Sequence, residues 1–309
     1  MPENLLGRIE NVRTLSLVGM CKNAGKTTVL NWILSRSRGR VLGLTSIGRD
    51  GESTDVVTGT EKPGICVPEG TLIATAKDML ALSDITQEIL YATGIPTPLG
   101  EVVIVRARSA GNVQLAGPSI TAQLKTVSDL FFSLGAEQTI VDGALGRKSP
   151  GARTVAEGVI LCTGASYDMR MEKVVSDTAN IFRVMNLKKA ETVPEASGKP
   201  LADLLKNAGE ALVPGALTDS AVVPLLKSGA LRNARLVVKD PSRVLLSPET
   251  LDKLAVRNVA LETVEAAEVL CVTVNPVSAY GWKFDPDAFL RAMQAAVDVP
   301  VINVKEALL

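Results

Sequence analysis

The sequence predicts an α/β fold built on a doubly wound, mainly parallel sheet. Short apolar runs of strand length alternate along the chain with segments of helical spacing, which is typical of strand–helix–strand units. Apolar residues make up 46% of the 309 residues and are mostly Val, Leu, Ala and Ile, whereas aromatic residues make up 3%. This composition favours parallel strands that are buried on both faces.

The elements of the first two thirds follow one another in order. Strands are predicted over 14–20, 41–46, 138–142 and 158–163, and helices over 26–35, from 118 to about 134, and over 169–185. Residues 101–108 and 112–117 show a strand-like alternation of apolar and polar residues, and Ser-Ala-Gly lies between them. This pattern predicts a hairpin. Residues 47–65 are rich in Gly, Thr, Asp and Glu and predict a long loop, a kind of segment that is often functional.

The segment 191–200, which mixes Pro, Gly and charged residues, is the predicted domain boundary. It separates a first domain over 1–190 from a C-terminal α/β extension or domain over 200–309. The second part contains predicted strands at 235–239, 269–275 and 299–304 and predicted helices at 247–256 and 286–297. The pattern leaves open whether these strands form a separate sheet.

The composition excludes several functional classes. The chain has 33 basic and 33 acidic residues and no basic run, so we expect no nucleic-acid partner. It has no histidine, which excludes a Ser-His-Asp triad and histidine metal ligands. No apolar run reaches the ~18 residues of a membrane helix, so we expect no membrane association. The N-terminus also lacks the apolar region of a signal peptide.

The cysteines show no spacing typical of a zinc site or a disulfide framework. They are Cys21, Cys66, Cys162 and Cys271. Cys162 and Cys271 lie in apolar runs and are predicted to be small core residues. Reduced cysteines favour a cytoplasmic location.

The strongest local signal is the segment Gly19-Met-Cys-Lys-Asn-Ala-Gly25-Lys26-Thr27-Thr28, between a predicted strand and a predicted helix. This context favours a P-loop over a glycine-rich turn that merely ends a strand. Backbone amides of such a loop and of the first helical turn form an anion cradle. Lys26 would lie at the β- and γ-phosphates, and the Thr27 hydroxyl would bind Mg²⁺. The predicted nucleotide-binding residues are Gly19, Lys22, Asn23, Ala24, Gly25, Lys26, Thr27 and Thr28.

Two carboxylates are candidates for the metal and for catalysis beside Lys26. Asp142 ends the strand Thr139-Ile-Val-Asp142, as a Walker B acid does, although it could also cap the following turn. Asp50 follows the second strand and would face the same sheet edge. Arg49, Arg147 and Lys148 are candidates for phosphate contact or belong to solvated loops.

Recognition of the base is weakly encoded. The sequence lacks the Asn-Lys-x-Asp guanine motif, which favours ATP over GTP as the nucleotide. The segment 163–166 lines the base pocket in one interpretation and is a simple turn in the other. Tyr280, Trp282 and Phe284 gather in one Gly- and Pro-containing loop. They either anchor that loop or bind a protein partner or a large flat cofactor.

The five residues between Gly19 and Gly25 resemble the loop of dethiobiotin synthetase. The segment 141–146, Val-Asp-Gly-Ala-Leu-Gly, is similar to that family's Glu-Gly-Ala-Gly-Gly, with Asp in place of Glu. The resemblance covers about 12–185 and implies a P-loop NTPase with a doubly wound, mainly parallel sheet that uses ATP and Mg²⁺. The family's Lys-Pro pair after its second strand has no counterpart here, where 45–50 read Thr-Ser-Ile-Gly-Arg-Asp.

The chain also resembles the small reactivase subunit of the adenosylcobalamin-dependent lysine aminomutase. The likeness lies in Lys-Asn-Ala-Gly-Lys-Thr-Thr at 22–28, Asn-Pro-Val-Ser at 275–278 and Phe-Asp-Pro at 284–286. It implies the use of ATP, together with a larger ATPase subunit, to exchange inactivated cobalamin on the mutase.

Three functions are consistent with these features. The favoured one is a Mg²⁺-dependent NTPase that acts on a partner protein. The first alternative is an ATP-dependent ligase or kinase for a small molecule, and the second is a nucleotide-binding sensor or scaffold without turnover. A ligase or kinase would need its own Lys or Arg beside the γ-phosphate.

Overall fold

A computed structural model describes residues 3–37, 39–50, 64–145, 156–196 and 200–304. The α-helices are α1 (Glu3–Asn11), α2 (Lys26–Arg36), α3 (Thr121–Ser133), α4 (Met171–Met185), α5 (Leu201–Ala208), α6 (Asp219–Ser228), α7 (Pro248–Val256) and α8 (Pro286–Ala296). Short 3₁₀ turns cover Lys77–Leu82 and Pro241–Arg243. The strands are β1 (Thr14–Gly19), β2 (Leu42–Ser46), β3 (Arg49–Asp50), β4 (Ile65–Val67), β5 (Leu72–Ala76), β6 (Gln87–Thr97), β7 (Gly100–Ala107), β8 (Gly111–Val113), β9 (Leu115–Ala116), β10 (Gln138–Leu145), β11 (Gly158–Gly164), β12 (Glu210–Leu212), β13 (Leu217–Thr218), β14 (Arg235–Val238), β15 (Val244–Leu245), β16 (Ala260–Thr263), β17 (Glu268–Asn275) and β18 (Val301–Asn303).

Within the described residues, nine strands form the main sheet in the order β18-β17-β11-β1-β10-β2-β5-β7-β6. The pairings of β1 with β10 and β11, of β10 with β2, of β2 with β5 and of β17 with β18 are parallel. Only the β5–β7–β6 edge of the described sheet is shown to pair antiparallel. The predicted α/β class with a large, mainly parallel sheet is confirmed.

The central elements form where the apolar pattern predicts them. Every residue of β1 is buried, as expected for a parallel strand with neighbours on both sides. Helix α2 buries Val29, Leu30, Trp32, Ile33 and Leu34, and these side chains join the core cluster that also contains residues of β1, β10 and β11. Helices α7 and α8 begin at the predicted places because a capping side chain and a proline coincide there.

The predicted hairpin between 101–108 and 112–117 is wrong. Strand β7 pairs instead with β5 and β6, while β8 pairs with β4 and β9 with β3. Both segments do contain strands, but Val102–Val105 of β7 are all buried in succession, and β5 and β6 occupy the two sides of β7. Most residues of β6 are exposed or half-buried, so the strand carries no apolar period that predicts it.

The segment 47–65 contains structure at both of its ends. Arg49–Asp50 form β3 and Ile65 begins β4, so these ends of the segment are not the loop that the composition predicts. Residues 51–63 lie outside the described part of the chain.

The chain divides into two compact units, Met1–Ala179 with Val269–Leu309, and Asn180–Glu268. The second unit contains the parallel sheet β12-β14-β16 and an apolar cluster of its own, including Leu226, Leu236 and Leu254. This division differs from the boundary predicted at 191–200, because β17 and β18 belong to the main sheet. Residues 180–268 are thus inserted between two parts of the first unit. The alternation of strands and helices in the sequence does not distinguish such an insertion from a C-terminal extension.

Among the described residues, every helix is too short or too polar to cross a bilayer. All four cysteines are free thiols, and Cys162 and Cys271 are core residues as predicted.

Candidate functional site

The Gly-Lys-Thr segment lies where β1 leaves the main sheet and α2 begins. The amide of Met20 donates to the carbonyl oxygen of Cys162, 2.8 Å away, which ties the start of the loop to β11. Asn23 and Gly25 then adopt left-handed backbone conformations, with φ angles of 61° and 94°. These two reversals turn the chain into α2, whose first hydrogen bond runs from the Val29 amide to the Gly25 carbonyl, at 3.1 Å.

Glycine is required at position 25 for conformation and for space. Its φ of 94° is strained for any residue with a side chain, and a Cβ atom there would lie 3.3 Å from Cγ2 of Val304. Gly25 is also the N-cap of α2 and has no side chain to accept from the first helical amides. Those amides therefore remain available to an anion at the positive end of the helix dipole.

The side chain of Lys26 folds back over the beginning of this loop. A Cβ atom at Gly19 would lie 3.0 Å from Nζ of Lys26 and 3.2 Å from its Cδ. Lys26, Thr27 and Thr28 are half-buried, and Ala24 is buried. The ammonium group and the first amides of α2 thus belong to one short loop, which is the arrangement that a bound phosphate requires.

The pKa values of two thiols, Cys21 and Cys162, are shifted by burial and by the charges near this loop. Burial raises the pKa of Cys21 to about 11, and the positive charge of Lys26 acts in the opposite direction. Burial likewise raises the pKa of Cys162 to about 11, with Lys26 lowering it and Asp142 raising it. The charges of Lys26 and Asp142 thus act on the Cys162 thiol in opposite directions.

The raised pKa of Cys21 predicts slow thiol chemistry in the loop. At neutral pH we expect iodoacetamide to modify the exposed Cys66 and to leave Cys21 largely unmodified, because only the thiolate reacts. In a Cys66→Ser variant, the rate at Cys21 should rise about tenfold per pH unit while the pH stays below the pKa. Mass spectrometry of the labelled peptides measures this, and rapid modification of Cys21 at neutral pH would contradict the geometry.

Asp142 lies within the neighbouring strand β10, which continues to Leu145, so the prediction that Asp142 ends its strand is wrong. It is 1% exposed, and it pairs in register with Ser46 of β2. Ser16 pairs with Val141 but Val18 pairs with Ala144, so β10 carries an extra residue beside β1 at this point. Such bulges redirect side chains next to functional sites, and Gly143 accommodates this one with a φ of 101°.

Asn275, at the end of β17, supports the loop and was not predicted as a site residue. Its Nδ2 donates to the carbonyl oxygen of Asn23, 3.0 Å away. Its own carbonyl oxygen accepts from the amide of Ala165, 2.8 Å away, after β11. The signal in the sequence is an asparagine directly after an apolar strand, at the edge where the other predicted site residues lie.

The remaining predicted residues are an exposed member of the loop and residues whose side chains are not described. Lys22 is exposed. The backbone of Arg49 and Asp50 forms β3, but their side chains lie outside the described residues, as do Arg147 and Lys148 entirely. The prediction that Asp50 binds metal or takes part in catalysis therefore stays a prediction.

The segment 163–166 begins inside the fold and ends in contact with the loop that carries the aromatic residues. Thr163 is buried, and its hydroxyl is 2.8 Å from the hydroxyl of Thr178 on α4, so it packs inside the fold. Ser166 Oγ accepts from the amide of Ala279 at 3.0 Å, and the Ala165 carbonyl accepts from Trp282 Nε1 at 2.9 Å. The end of this segment therefore holds the aromatic loop.

Two of the three aromatic residues in that loop anchor it. Phe284 is buried, and its ring packs edge to face on Phe289 with centroids 5.2 Å apart. The indole of Trp282 is fixed by its hydrogen bond to Ala165. Tyr280 is 49% exposed and remains accessible to a ligand.

The oxygen donors on the loop and on β10 are of the chemical type that suits a magnesium ion. In the described part of the chain, no three His, Cys, Asp or Glu side chains cluster closely enough to hold a metal ion. The available donors are the Thr27 hydroxyl and the Asp142 carboxylate, which are the hard oxygen ligands that Mg²⁺ prefers. Mg²⁺ commonly takes few protein ligands and completes its shell with phosphate oxygens and water.

Comparison with protein-family models, with curated proteins and with solved structures finds no match for this chain. Inferences about its function therefore rest on the residues and their geometry.

Proposed function

We propose that this chain is a Mg²⁺-dependent P-loop NTPase that binds ATP in preference to GTP. The observation that carries the proposal is the position of Lys26, whose ammonium group lies against Gly19 inside the loop that joins β1 to α2. A lysine with that placement, beside uncapped helical amides, suits the β- and γ-phosphates of a nucleotide.

The roles of the residues follow from their chemistry. The amides of the loop and of the first turn of α2 bind the phosphates, and Lys26 adds a positive charge to the same place. Thr27 and Asp142 hold the metal, which when bound neutralises charge that develops on the phosphates. Asn275 keeps the loop in shape through its bond to Asn23. Phosphoryl transfer depends chiefly on positioning and charge, so the lack of histidine is no obstacle.

We further propose that turnover is coupled to a partner protein, as the resemblance to the reactivase subunit implies. The partner would then be a larger ATPase subunit and a cobalamin enzyme. The sequence at 22–28, which carries part of that resemblance, forms the loop and the start of α2. Addition of the partner should increase phosphate release from ATP.

The test of the proposed function is the variant Asp142→Asn. Asparagine has the same shape without the charge, so the protein should fold while Mg²⁺-dependent phosphate release falls at least about 100-fold. Calorimetry should show that Mg²⁺ strengthens ATP binding in the wild type and has little effect in the variant.

The matched control is Asp129→Asn, on an exposed position of α3, which should behave as wild type. Equal Mg²⁺ dependence in wild type and Asp142→Asn would contradict the metal-binding role. A wild-type protein that binds no nucleotide would contradict the proposal as a whole.

A further inference from the structure

The loop between β17 and α8 carries a stacked aromatic pair. The rings of Tyr280 and Trp282 lie with centroids 5.5 Å apart and planes 21° from parallel. Trp282 is half-buried, whereas Tyr280 keeps 49% of its surface exposed. An exposed aromatic side chain stacked on a second ring is a suitable surface for a flat ligand.

Hydrogen bonds fix this pair in place. Trp282 donates to the Ala165 carbonyl, and the Trp282 carbonyl accepts from the Ser278 amide, each at 2.9 Å. Ser278 Oγ in turn accepts from the amide of Tyr280, 3.1 Å away. Because the surface is already ordered, a ligand that binds it does not have to order the loop first.

The same supports hold the pair and the phosphate loop. Asn275, which begins the aromatic loop, donates to Asn23 and accepts from Ala165. The three strands concerned are neighbours in the order β17-β11-β1. Asn275 therefore contacts the phosphate loop directly, and the chain leads from this contact into the loop that carries Tyr280 and Trp282.

We propose that Tyr280, backed by Trp282, is the stacking surface for the base of the nucleotide whose phosphates bind at Lys26. This inference rests on the proposed function and adds the class of base to it. Stacking accepts any flat base and gains with its area, so purine nucleotides bind more tightly than pyrimidine nucleotides. Stacking by itself does not separate ATP from GTP, because both bases present a purine face.

The test compares ATP with inorganic tripolyphosphate, which carries the phosphates without a base. Both are titrated by calorimetry in Mg²⁺ against the wild type and Tyr280→Ala. The variant should lose about tenfold in affinity for ATP and stay within about twofold of wild type for tripolyphosphate. Tyr280→Phe keeps the ring and should match the wild type with both ligands.

The control for loss of an exposed tyrosine is Tyr91→Ala on β6, where the side chain is 45% exposed, and it should leave both affinities unchanged. Fluorescence gives a second readout, since the chain has two tryptophans and Trp32 is buried. ATP should change the emission of Trp282, and tripolyphosphate should not.

Each failure has a distinct signature. Unchanged ATP affinity in Tyr280→Ala, with ATP bound by the wild type, overturns the stacking surface and leaves the phosphate site intact. An equal loss for ATP and tripolyphosphate also overturns it, because the substitution then acts on the phosphate loop. A wild type that binds neither ligand overturns the proposed function and the stacking surface together.

Discussion

Replacing Lys26 with alanine is expected to abolish measurable binding of ATP in the presence of Mg²⁺, with a loss of affinity of at least about 100-fold. The ammonium group lies inside the loop, where a Cβ atom at Gly19 would be only 3.0 Å from Nζ, so the substitution removes a positive charge from the loop itself. The folded state should be retained, because Lys26 is half-buried and its removal leaves space that water can fill. Calorimetric titration of wild type and variant measures the effect.

A matched control removes a lysine elsewhere. Lys125 is exposed on α3, so Lys125→Ala should bind ATP as the wild type does. If Lys26→Ala retained ATP affinity within a few-fold of wild type, the phosphates would not bind in this loop.

The largest effect on stability is expected from Gly117→Ala. A Cβ atom at position 117 would lie 2.1 Å from the carbonyl oxygen of Ser46 and 2.6 Å from Oγ1 of Thr45. Backbone atoms would have to move, since the Gly117 amide also donates to the Gly48 carbonyl at 3.0 Å. We expect the free energy of unfolding to fall by about 3 kcal/mol or more, as measured by urea denaturation.

The effect should extend to the proposed nucleotide site. Ser46 pairs in register with Asp142, so displacement of the end of β2 disturbs the strand that carries the carboxylate. The control is Gly7→Ala in α1, where a Cβ atom would meet nothing within 4 Å. That substitution should leave stability unchanged or raise it by up to about 1 kcal/mol. Similar stabilities for Gly117→Ala and wild type would show that β2 and Gly117 are not in close contact.

The sequence predicts the centre of the fold well because the signals there are local. β1, the glycine-containing loop and α2 follow one another directly, and each has its own period or turn residues. The predictions that are wrong concern strands whose neighbours in the sheet are distant in the sequence. The exposed strand β6 has no apolar period, and the return of β17 to the main sheet depends on packing that no local pattern encodes.

The candidate site divides in the same way. Asp142 could be predicted as a buried acid because it follows an apolar run, but the predicted end of its strand is wrong, since β10 continues to Leu145. The role of Asn275 could not, because its partner Asn23 is 252 residues away along the chain. The sequence predicts Thr163 as part of a turn or of a base pocket. In the structure its hydroxyl instead forms a buried hydrogen bond with that of Thr178 on α4.

The most direct test of the nucleotide site is a crystal structure of the chain with Mg²⁺ and a non-hydrolysable ATP analogue. The phosphates should lie against Nζ of Lys26 and the first amides of α2, with Thr27 and Asp142 at the metal. An analogue bound elsewhere, or an ordered loop with Lys26 still against Gly19 and no phosphate beside it at saturating analogue, would contradict the account.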